Sequence, residues 1–376
     1  MAIEAESDAG LVDATAKDGS ADAASPEDRS RPRALSVWLF VVAALVFVMI
    51  VVGGTTRLTQ SGLSMVRWEP VSGVVPPLSQ AAWQAEFDSY KAYPEYQKIN
   101  RSMDLSEFKG IFFWEYLHRL LGRVLGLAMV VPFAWFVLRG AVPRGYGRRL
   151  AVLVALVGLQ GAIGWWMVAS GLIDRPDVAH ERLALHLSTA LILLVGLLWT
   201  ALDMRALAAG RSAVAGRPAR WVWPFSVLLF TQIIFGAFVA GLDAGRIYTT
   251  WPQMQGAWVP DGLTADSPLW GNLVNNATAV QFVHRWLAMV VAVAAMWVAL
   301  RLYRAGAPGL ATALSWAVSA QVILGVLTLL HSVPVSLGVA HQLGAVLLLM
   351  VIVAAAHWAR GGARHASHAQ PTIVAT

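Results

Sequence analysis

The sequence contains no cysteine and little charge, and these two absences limit the classes of protein it can belong to. Without cysteine, structural disulfides, thiolate-held iron–sulfur clusters and cysteine-ligated zinc are excluded. Only 13% of the 376 residues are charged, whereas 57% are hydrophobic. Because soluble domains carry about 25% charged residues, this chain has too little polar surface to cover a globule. The composition therefore predicts a membrane protein, and the net charge of +6 is no argument for a nucleic-acid partner.

Eight apolar segments are each near the ~20 residues that a helix needs to cross the hydrocarbon core of a bilayer. The segments are continuously apolar rather than alternating, which favours helices over a β-barrel. The sequence therefore predicts an all-α membrane protein with eight transmembrane helices. The approximate limits of the segments are 35–54, 112–138, 149–171, 182–203, 221–242, 278–303, 309–331 and 336–358.

Arginines are concentrated in the connections on one side of the predicted bundle, whereas the opposite connections mix both signs of charge. By the positive-inside rule, the arginine-rich side and both termini face the cytoplasm. Residues 1–34 are acidic and polar, unlike a transit or signal peptide, and we expect a disordered cytoplasmic tail there. Residues 360–376 form a second predicted cytoplasmic tail. The expected location is a bacterial inner membrane.

The longest outer connection, about 55–111, carries aromatic residues at helical spacing. Such a pattern is typical of a short amphipathic helix on the membrane surface and also of a lid over a site. The two interpretations are compatible, and the sequence leaves both open.

The two halves of the chain resemble each other. Glu115-Tyr-Leu-His118-Arg119 in the second segment matches Gln281-Phe-Val-His284-Arg285 in the sixth. Leu183-Ala-Leu-His186 in the fourth matches Leu337-Gly-Val-Ala-His341 in the eighth less closely. Four helices separate the repeats, so two pseudo-symmetric four-helix bundles related by an axis along the membrane normal are predicted. The predicted halves are residues 35–205, which include the long outer loop, and residues 206–359.

Four histidines fall at equivalent places in the repeat: His118, His186, His284 and His341. Each lies a few residues into a segment that enters from the outer side, so the four rings lie at similar depth. Paired histidines on facing helices are an arrangement for axial ligation of haem iron. Core histidines held by hydrogen bonds and a proton relay are the alternatives. The sequence assigns no such role to His180, His331, His357, His365 or His368.

Three charged residues next to these histidines raise separate questions. Arg119 and Arg285 follow ligand candidates directly and are candidates for contact with haem propionates or for hydrogen bonds between helices. Glu115 lies on the same helix face as His118, whereas the second half has the non-ionisable Gln281 at that position. A structural partner of an arginine and a proton-handling group are both compatible with Glu115. If it handles protons, the chemistry belongs to the first half alone.

The stretches GGTTRLTQSGLSMVRWEPVSGVVPP, WQAEFDSYKAYPEYQKIN and EFKGIFFWEYLHRLLGR resemble the haem A synthase family over about residues 35–358. The resemblance implies an eight-helix enzyme that oxidises the methyl group at ring position 8 of haem O to a formyl group, giving haem A for cytochrome c oxidase. It implies that His118 and His186 flank the substrate haem and that His284 and His341 ligate a haem b cofactor. Glu115 matches the family's essential acidic residue. Because it has no cysteine, the sequence resembles the cysteine-free subtype of the family, which is proteobacterial and mitochondrial.

The resemblance leaves several questions open. Two histidines fill both axial positions of an iron, so either one ligand is labile or water supplies the oxygen after electron withdrawal. A non-catalytic haem b electron-transfer protein and a transporter are the competing functions. Haem O synthase, assembly factors of cytochrome c oxidase and an unidentified electron donor or acceptor are expected partners, and self-association into a homo-oligomer stays open.

Overall fold

The computed structural model describes residues 30–67, 72–173, 175–211 and 219–362. Regular structure within these ranges is helical apart from one isolated bridge, and eight of the helices are long and apolar enough to cross a membrane. The all-α class with eight spans is therefore confirmed. The α-helices are α1 (Pro32–Leu58), α2 (Gln80–Lys91), α3 (Pro94–Lys98), α4 (Leu105–Leu138), α5 (Gly147–Gly171), α6 (His180–Ala208), α7 (Val222–Gly241), α8 (Ala277–Arg304), α9 (Pro308–Leu330) and α10 (Val335–Gly362).

Helix α4 begins seven residues before the predicted limit at 112. Its first turn is polar, so the apolar run alone does not show it. A capping box fixes the start: the Glu107 amide donates to Asp104 Oδ1 at 2.8 Å, and the Asp104 amide donates to Glu107 Oε2 at 3.0 Å. These seven residues add roughly 10 Å of helix beyond the apolar span. The outer connection packs on this extension.

The hydrophobic core occupies the half of the bundle that is nearer the chain termini. Helix α1 packs along α6 and α4, and α8 packs along α7 and α9. The side chains at the centre of the core are fully buried, among them Leu35, Leu39, Leu194, Leu197 and Leu314. Because lipid is as apolar as these side chains, close van der Waals packing holds the helices together. The candidate ligand histidines lie in the other half of the bundle.

A buried carboxylate joins three helices at the terminal side. Asp203 on α6 is 1% exposed. It accepts from Arg149 Nη1 at 2.6 Å and from His357 Nε2 at 3.0 Å, and Arg360 Nη1 lies 3.7 Å away. The sequence assigns His357 no role, whereas the structure places it in this network. The network pairs the charge of Asp203, which would be costly to bury alone. His365 lies outside the described residues.

Helix α1 also contacts the C-terminal helices. Arg57 donates through Nη2 to Asp243 Oδ2 at 3.1 Å, and Gln342 on α10 donates to the carbonyl of Ile50 at 2.9 Å. The division into 35–205 and 206–359 stays a prediction, as does the cytoplasmic side of the termini. Most of the two predicted tails, residues 1–29 and 363–376, lies outside the described residues, and so does His368. The described parts of the tails belong largely to α1 and α10.

Candidate functional site

Each of the four candidate ligand histidines lies against a glycine of a neighbouring helix. The histidines are on α4, α6, α8 and α10, and the glycines are on α1, α5, α7 and α9. A Cβ atom added to any of these glycines would lie 2.8 to 3.2 Å from an imidazole atom, so a larger residue would displace the ring. The pairs are His118 with Gly53, His186 with Gly164, His284 with Gly236, and His341 with Gly325.

Glutamine amides hold two of these rings. Gln160 Nε2 lies 3.1 Å from His186 Nδ1 and donates to the His186 carbonyl at 2.8 Å. Gln232 Nε2 lies 3.1 Å from His284 Nδ1 and donates to the His284 carbonyl at 3.0 Å. The partner of an imidazole on its second nitrogen sets the orientation of a metal-ligating ring. Thr189 Oγ1 donates to Gln160 Oε1 at 2.6 Å and fixes the first amide in turn.

The sequence carries a signal for these contacts. In α5, α7 and α9 a glutamine precedes the glycine by four residues, which puts both on one helix face. Gly161, which directly follows Gln160, forms no such pair, because a Cβ there would meet nothing within 4 Å. The glutamines bring a second layer of contacts that the histidine pattern does not reveal.

The C-terminal histidines are spaced as two ligands of one metal atom. The ring centroids of His284 and His341 are 6.5 Å apart. A metal with bonds of about 2.0–2.1 Å to one nitrogen of each ring places the centroids roughly 6–6.5 Å apart. The described ranges hold no group of three or more histidine, aspartate, glutamate or cysteine side chains arranged around one metal ion. Two imidazoles fit the axial positions of a haem iron, whose other four ligands come from the macrocycle.

A mostly apolar cavity surrounds this pair and opens partly to the outside. Its empty volume is about 1640 Å³ including the open part, and α1, α7, α8, α9 and α10 contribute to its walls. Six polar atoms of its lining residues are buried without a hydrogen-bond partner: Arg57 Nε, Gln232 Oε1, Gln281 Oε1, Arg285 Nε, Gln321 Oε1 and His341 Nδ1. Ligand sites combine apolar walls with a few convergent polar groups, and a flat apolar macrocycle with polar edges suits this cavity.

Glu115 is held by three donors. The carboxylate is 3% exposed and accepts from Ser64 Oγ at 2.7 Å and from the Met65 amide at 2.7 Å. Arg119 Nη2 pairs with its other oxygen at 2.5 Å. Three donors around one carboxylate stabilise its negative charge. Ser64 and Met65 belong to the outer connection, so the chain after α1 completes the environment of Glu115.

The equivalent position in the C-terminal half holds a neutral amide instead of a carboxylate. Gln281 is 2% exposed, and its Nε2 donates to the Tyr248 carbonyl at 3.0 Å. One half therefore places a negative acceptor beside its histidine pair, and the other places a neutral donor. The two sites therefore differ chemically at this position.

Arg119 and Arg285 anchor the outer loops in the same way. Arg119 donates to the carbonyl oxygens of Met65 at 2.6 Å and Arg67 at 2.9 Å. Arg285 donates to the carbonyl oxygens of Tyr248 at 2.6 Å and Thr250 at 2.8 Å. Hydrogen bonds to the outer loops therefore occupy both side chains, and contact with haem propionates stays a prediction. Arg285 Nε is buried without a partner and remains a donor for such a contact.

The outer connection folds onto the extension of α4. Phe87 and Tyr90 of α2 pack with Phe108 and Phe112 of α4 in a small aromatic core. Tyr90 donates to Glu95 Oε2 at 3.0 Å, and burial raises the pKa of Glu95 to about 8. The chain before α2 covers Glu115 through Ser64 and Met65, and the roles of this segment as a lid or as a helix on the membrane surface stay predictions.

The remaining outer histidines stand apart from the four. His180 begins α6, contacts Phe238 and lies 3.3 Å from Glu181. His331 ends α9, is exposed and lies 2.9 Å from the Leu327 carbonyl. His180 lies against Gly241 of α7, but through its Cα and Cβ and not through its ring.

Comparison with known proteins identifies the family. The model of a family described as cytochrome oxidase assembly protein matches residues 36–353. A protein of Sphingopyxis alaskensis named heme A synthase is 49% identical over 347 residues, covering 92% of this chain and 97% of that protein. Proteins of the same name from Rhodospirillum centenum and Azorhizobium caulinodans are 47% and 48% identical, covering 90% and 87% of this chain and 92% and 95% of their own lengths. The chain therefore belongs to the cytochrome oxidase assembly protein family that includes these haem A synthases.

Proposed function

We propose that the protein is a haem A synthase, which oxidises the C8 methyl group of haem O to a formyl group and so supplies haem A for cytochrome c oxidase. Extensive similarity to relatives of that name supports the activity. The observation that carries the mechanism is the asymmetry between Glu115 and Gln281. A protein that only transfers electrons needs no carboxylate beside one of two otherwise similar histidine pairs.

We assign different roles to the two histidine pairs. His118 and His186 would flank the substrate haem in the N-terminal half, and His284 and His341 would hold a haem b cofactor in the C-terminal half. When bound, haem b transfers single electrons. The cavity around the C-terminal pair, its unpaired polar atoms and the 6.5 Å spacing of the rings support this assignment.

Glu115 acts on the methyl group that is oxidised. As electrons are withdrawn from the substrate to an acceptor, the Glu115 carboxylate, which is held in place by three donors, stabilises the positive charge that develops on the methyl carbon. It then takes a proton from the reacting carbon or from the oxygen nucleophile, which requires one of its donors to turn away. Ser64 Oγ is suited to this, because a hydroxyl can rotate to other acceptors, and the Ser61 carbonyl lies within 3.0 Å of it.

Haem extraction and chromatography test the proposal. Cells that express the full chain and make haem O should yield protein with haem b together with haem O or haem A. Glu115→Gln should keep its haem and stop formyl production. Glu107→Gln is the matched control, because Glu107 is an exposed glutamate on the same helix, and it should keep formyl production. Protein that contains only haem b and leaves added haem O unchanged would instead support the electron carrier.

The proposal extends to location and partners. We place the protein in a bacterial inner membrane with both termini in the cytoplasm, and we expect contact with haem O synthase, cytochrome c oxidase assembly factors and a separate electron donor or acceptor. The cysteine-free chain allows single cysteines to be labelled from one side. Gln84→Cys in the outer connection should react with an impermeant maleimide in intact cells, and Arg148→Cys only after lysis. The reverse pattern would refute the orientation.

A further inference from the structure

The four glycine–histidine pairs are alike in position but unequal in what fixes the ring. The residue four positions before the glycine is Gln160 in α5, Gln232 in α7 and Gln321 in α9. In α1 the same position, four before Gly53, is Met49. Of the four histidines, His118 alone faces a helix that offers no amide at this position.

Methionine has no donor that could replace the amide. Its thioether sulfur is a weak acceptor, and its three rotatable bonds make it adaptable. Met49 Cε would lie 3.4 Å from a Cβ at Gly122, one turn beyond His118, so this side chain packs at the face of α4 that carries the histidine. Packing without a directional bond leaves an imidazole free to turn about its side-chain torsions.

The ring of His118 also differs in orientation from the rings of the other three histidines. In the three pairs with a glutamine, Cε1 of the histidine is the atom nearest to the added Cβ, and Nδ1 is the second nearest. In the pair of His118 and Gly53, Nε2 is nearest at 3.2 Å and Cδ2 is second at 3.6 Å. The ring of His118 is therefore rotated relative to its three counterparts, and Nε2 faces the backbone of α1.

The partner of His118 is fixed. Gln160 contacts both Nδ1 and the carbonyl of His186, and Thr189 fixes Gln160. In the C-terminal half, Gln232 holds His284 in the same way, and His341, whose Nδ1 has no hydrogen-bond partner, keeps the ring orientation of the amide-held histidines against Gly325. The N-terminal site thus combines one anchored and one unanchored ligand.

We infer that Met49 makes His118 the exchangeable ligand of the N-terminal pair, so that haem O enters and haem A leaves on the His118 side while His186 stays in place. Gln160 is a positioning residue for His186. This inference rests on the proposed function. The exchange breaks and re-forms only the bond between iron and the His118 nitrogen, and it transfers no electron. It also gives a difference between the halves, because His284, the C-terminal counterpart of His118, is held by Gln232.

Carbon monoxide binding tests the inference without turnover. Full-length protein in detergent is saturated with haemin, reduced with dithionite and mixed with carbon monoxide, and the optical change is followed in time. Carbon monoxide binds ferrous haem only where an axial ligand leaves. About half of the haem in the wild type should react. Met49→Gln should slow this reaction about tenfold, because loss or gain of a hydrogen-bond partner of a metal-ligating histidine changes metal affinity by about 10- to 100-fold.

Two further variants make the result specific. Gln232→Met copies the N-terminal arrangement into the C-terminal half, and nearly all of the haem should then react. Met49→Leu has similar size and no amide, and its reaction should match the wild type. If Met49→Gln does not retain two haems, Gln232→Met decides the question, because it predicts a gain.

Three outcomes would overturn the inference. The role of Met49 is refuted if the wild type and Met49→Gln react at equal rates, or if the C-terminal haem of Gln232→Met does not react. The proposed function stays intact in both cases if formyl is still produced. A wild type that binds fewer than two haems per chain would refute the two-site function and the inference together.

Discussion

Glu115→Ala should loosen the segment that covers the carboxylate. Ser64 and Met65 each donate a hydrogen bond of 2.7 Å to Glu115. Hydrogen bonds to charged groups contribute about 1.5–3 kcal/mol each, so at the lower end the two bonds together contribute about 3 kcal/mol. Arg119 keeps its bonds to the carbonyl oxygens of Met65 and Arg67, so the loop stays attached and the loss is local.

Hydrogen–deuterium exchange measures this loss at the atom concerned, because the Met65 amide is itself one of the donors. An opening free energy lower by about 3 kcal/mol makes exchange roughly a hundredfold faster. A smaller increase is expected for Glu115→Gln, since a neutral amide oxygen still accepts. Peptides that cover residues 61–67 report the change by mass spectrometry.

Gln281→Ala is the matched control in the other half. It removes one neutral bond of about 1 kcal/mol to Tyr248, which Arg285 continues to hold, so exchange around residue 248 should rise by only about fivefold. Unchanged exchange at Met65 in Glu115→Ala would refute the reasoning. Equal effects of the two substitutions would show that the charge of Glu115 plays no part in holding the loop.

Three further predictions test other features of the structure. The folded-state pKa of Glu95 is about 8, above its usual 4.5, so the folded protein keeps this proton to a higher pH than the unfolded chain does. Thermal stability should therefore fall as the pH rises from about 4.5 to 8, and Glu95→Gln should reduce this dependence on pH. Gly164→Ala should lower haem content at the N-terminal site by displacing His186, whereas Gly161→Ala, where the added atom meets nothing within 4 Å, should retain it. Asp203→Asn weakens a buried ion-pair network and should cost up to about 3–5 kcal/mol, measured as a lower unfolding temperature in detergent; an unchanged temperature would contradict a structural role for the network.

The helices and the depth of the histidines follow from the sequence because both depend on local patterns. Apolar length gives the eight spans, and the matched positions of His118, His186, His284 and His341 follow from counting residues along them. The early start of α4 also depends on a local pattern, since Asp104 and Glu107 have the spacing of a capping box.

The surroundings of Glu115 do not follow from the sequence in the same way. Ser64 and Met65 reach it from about 50 residues away along a connection without regular periodicity, so no local rule pairs them. Arg119 and Arg285 were expected at propionates or between helices, and the structure shows both donating to loop carbonyls. Loop carbonyls are acceptors at every residue, and only the folded chain shows which of them an arginine reaches.

The contact between Gln342 and Ile50 has a consequence for the order in which the chain is made. The two residues are 292 positions apart, and Gln342 lies directly against Gly54 on α1. At about 5–20 residues per second, roughly 15–60 s pass between the synthesis of α1 and the arrival of its partner on α10. During that interval the first helix presents glycines and an arginine in the membrane without their final neighbours. Insertion factors or early packing against α4 and α6 must protect this helix until the last one is made.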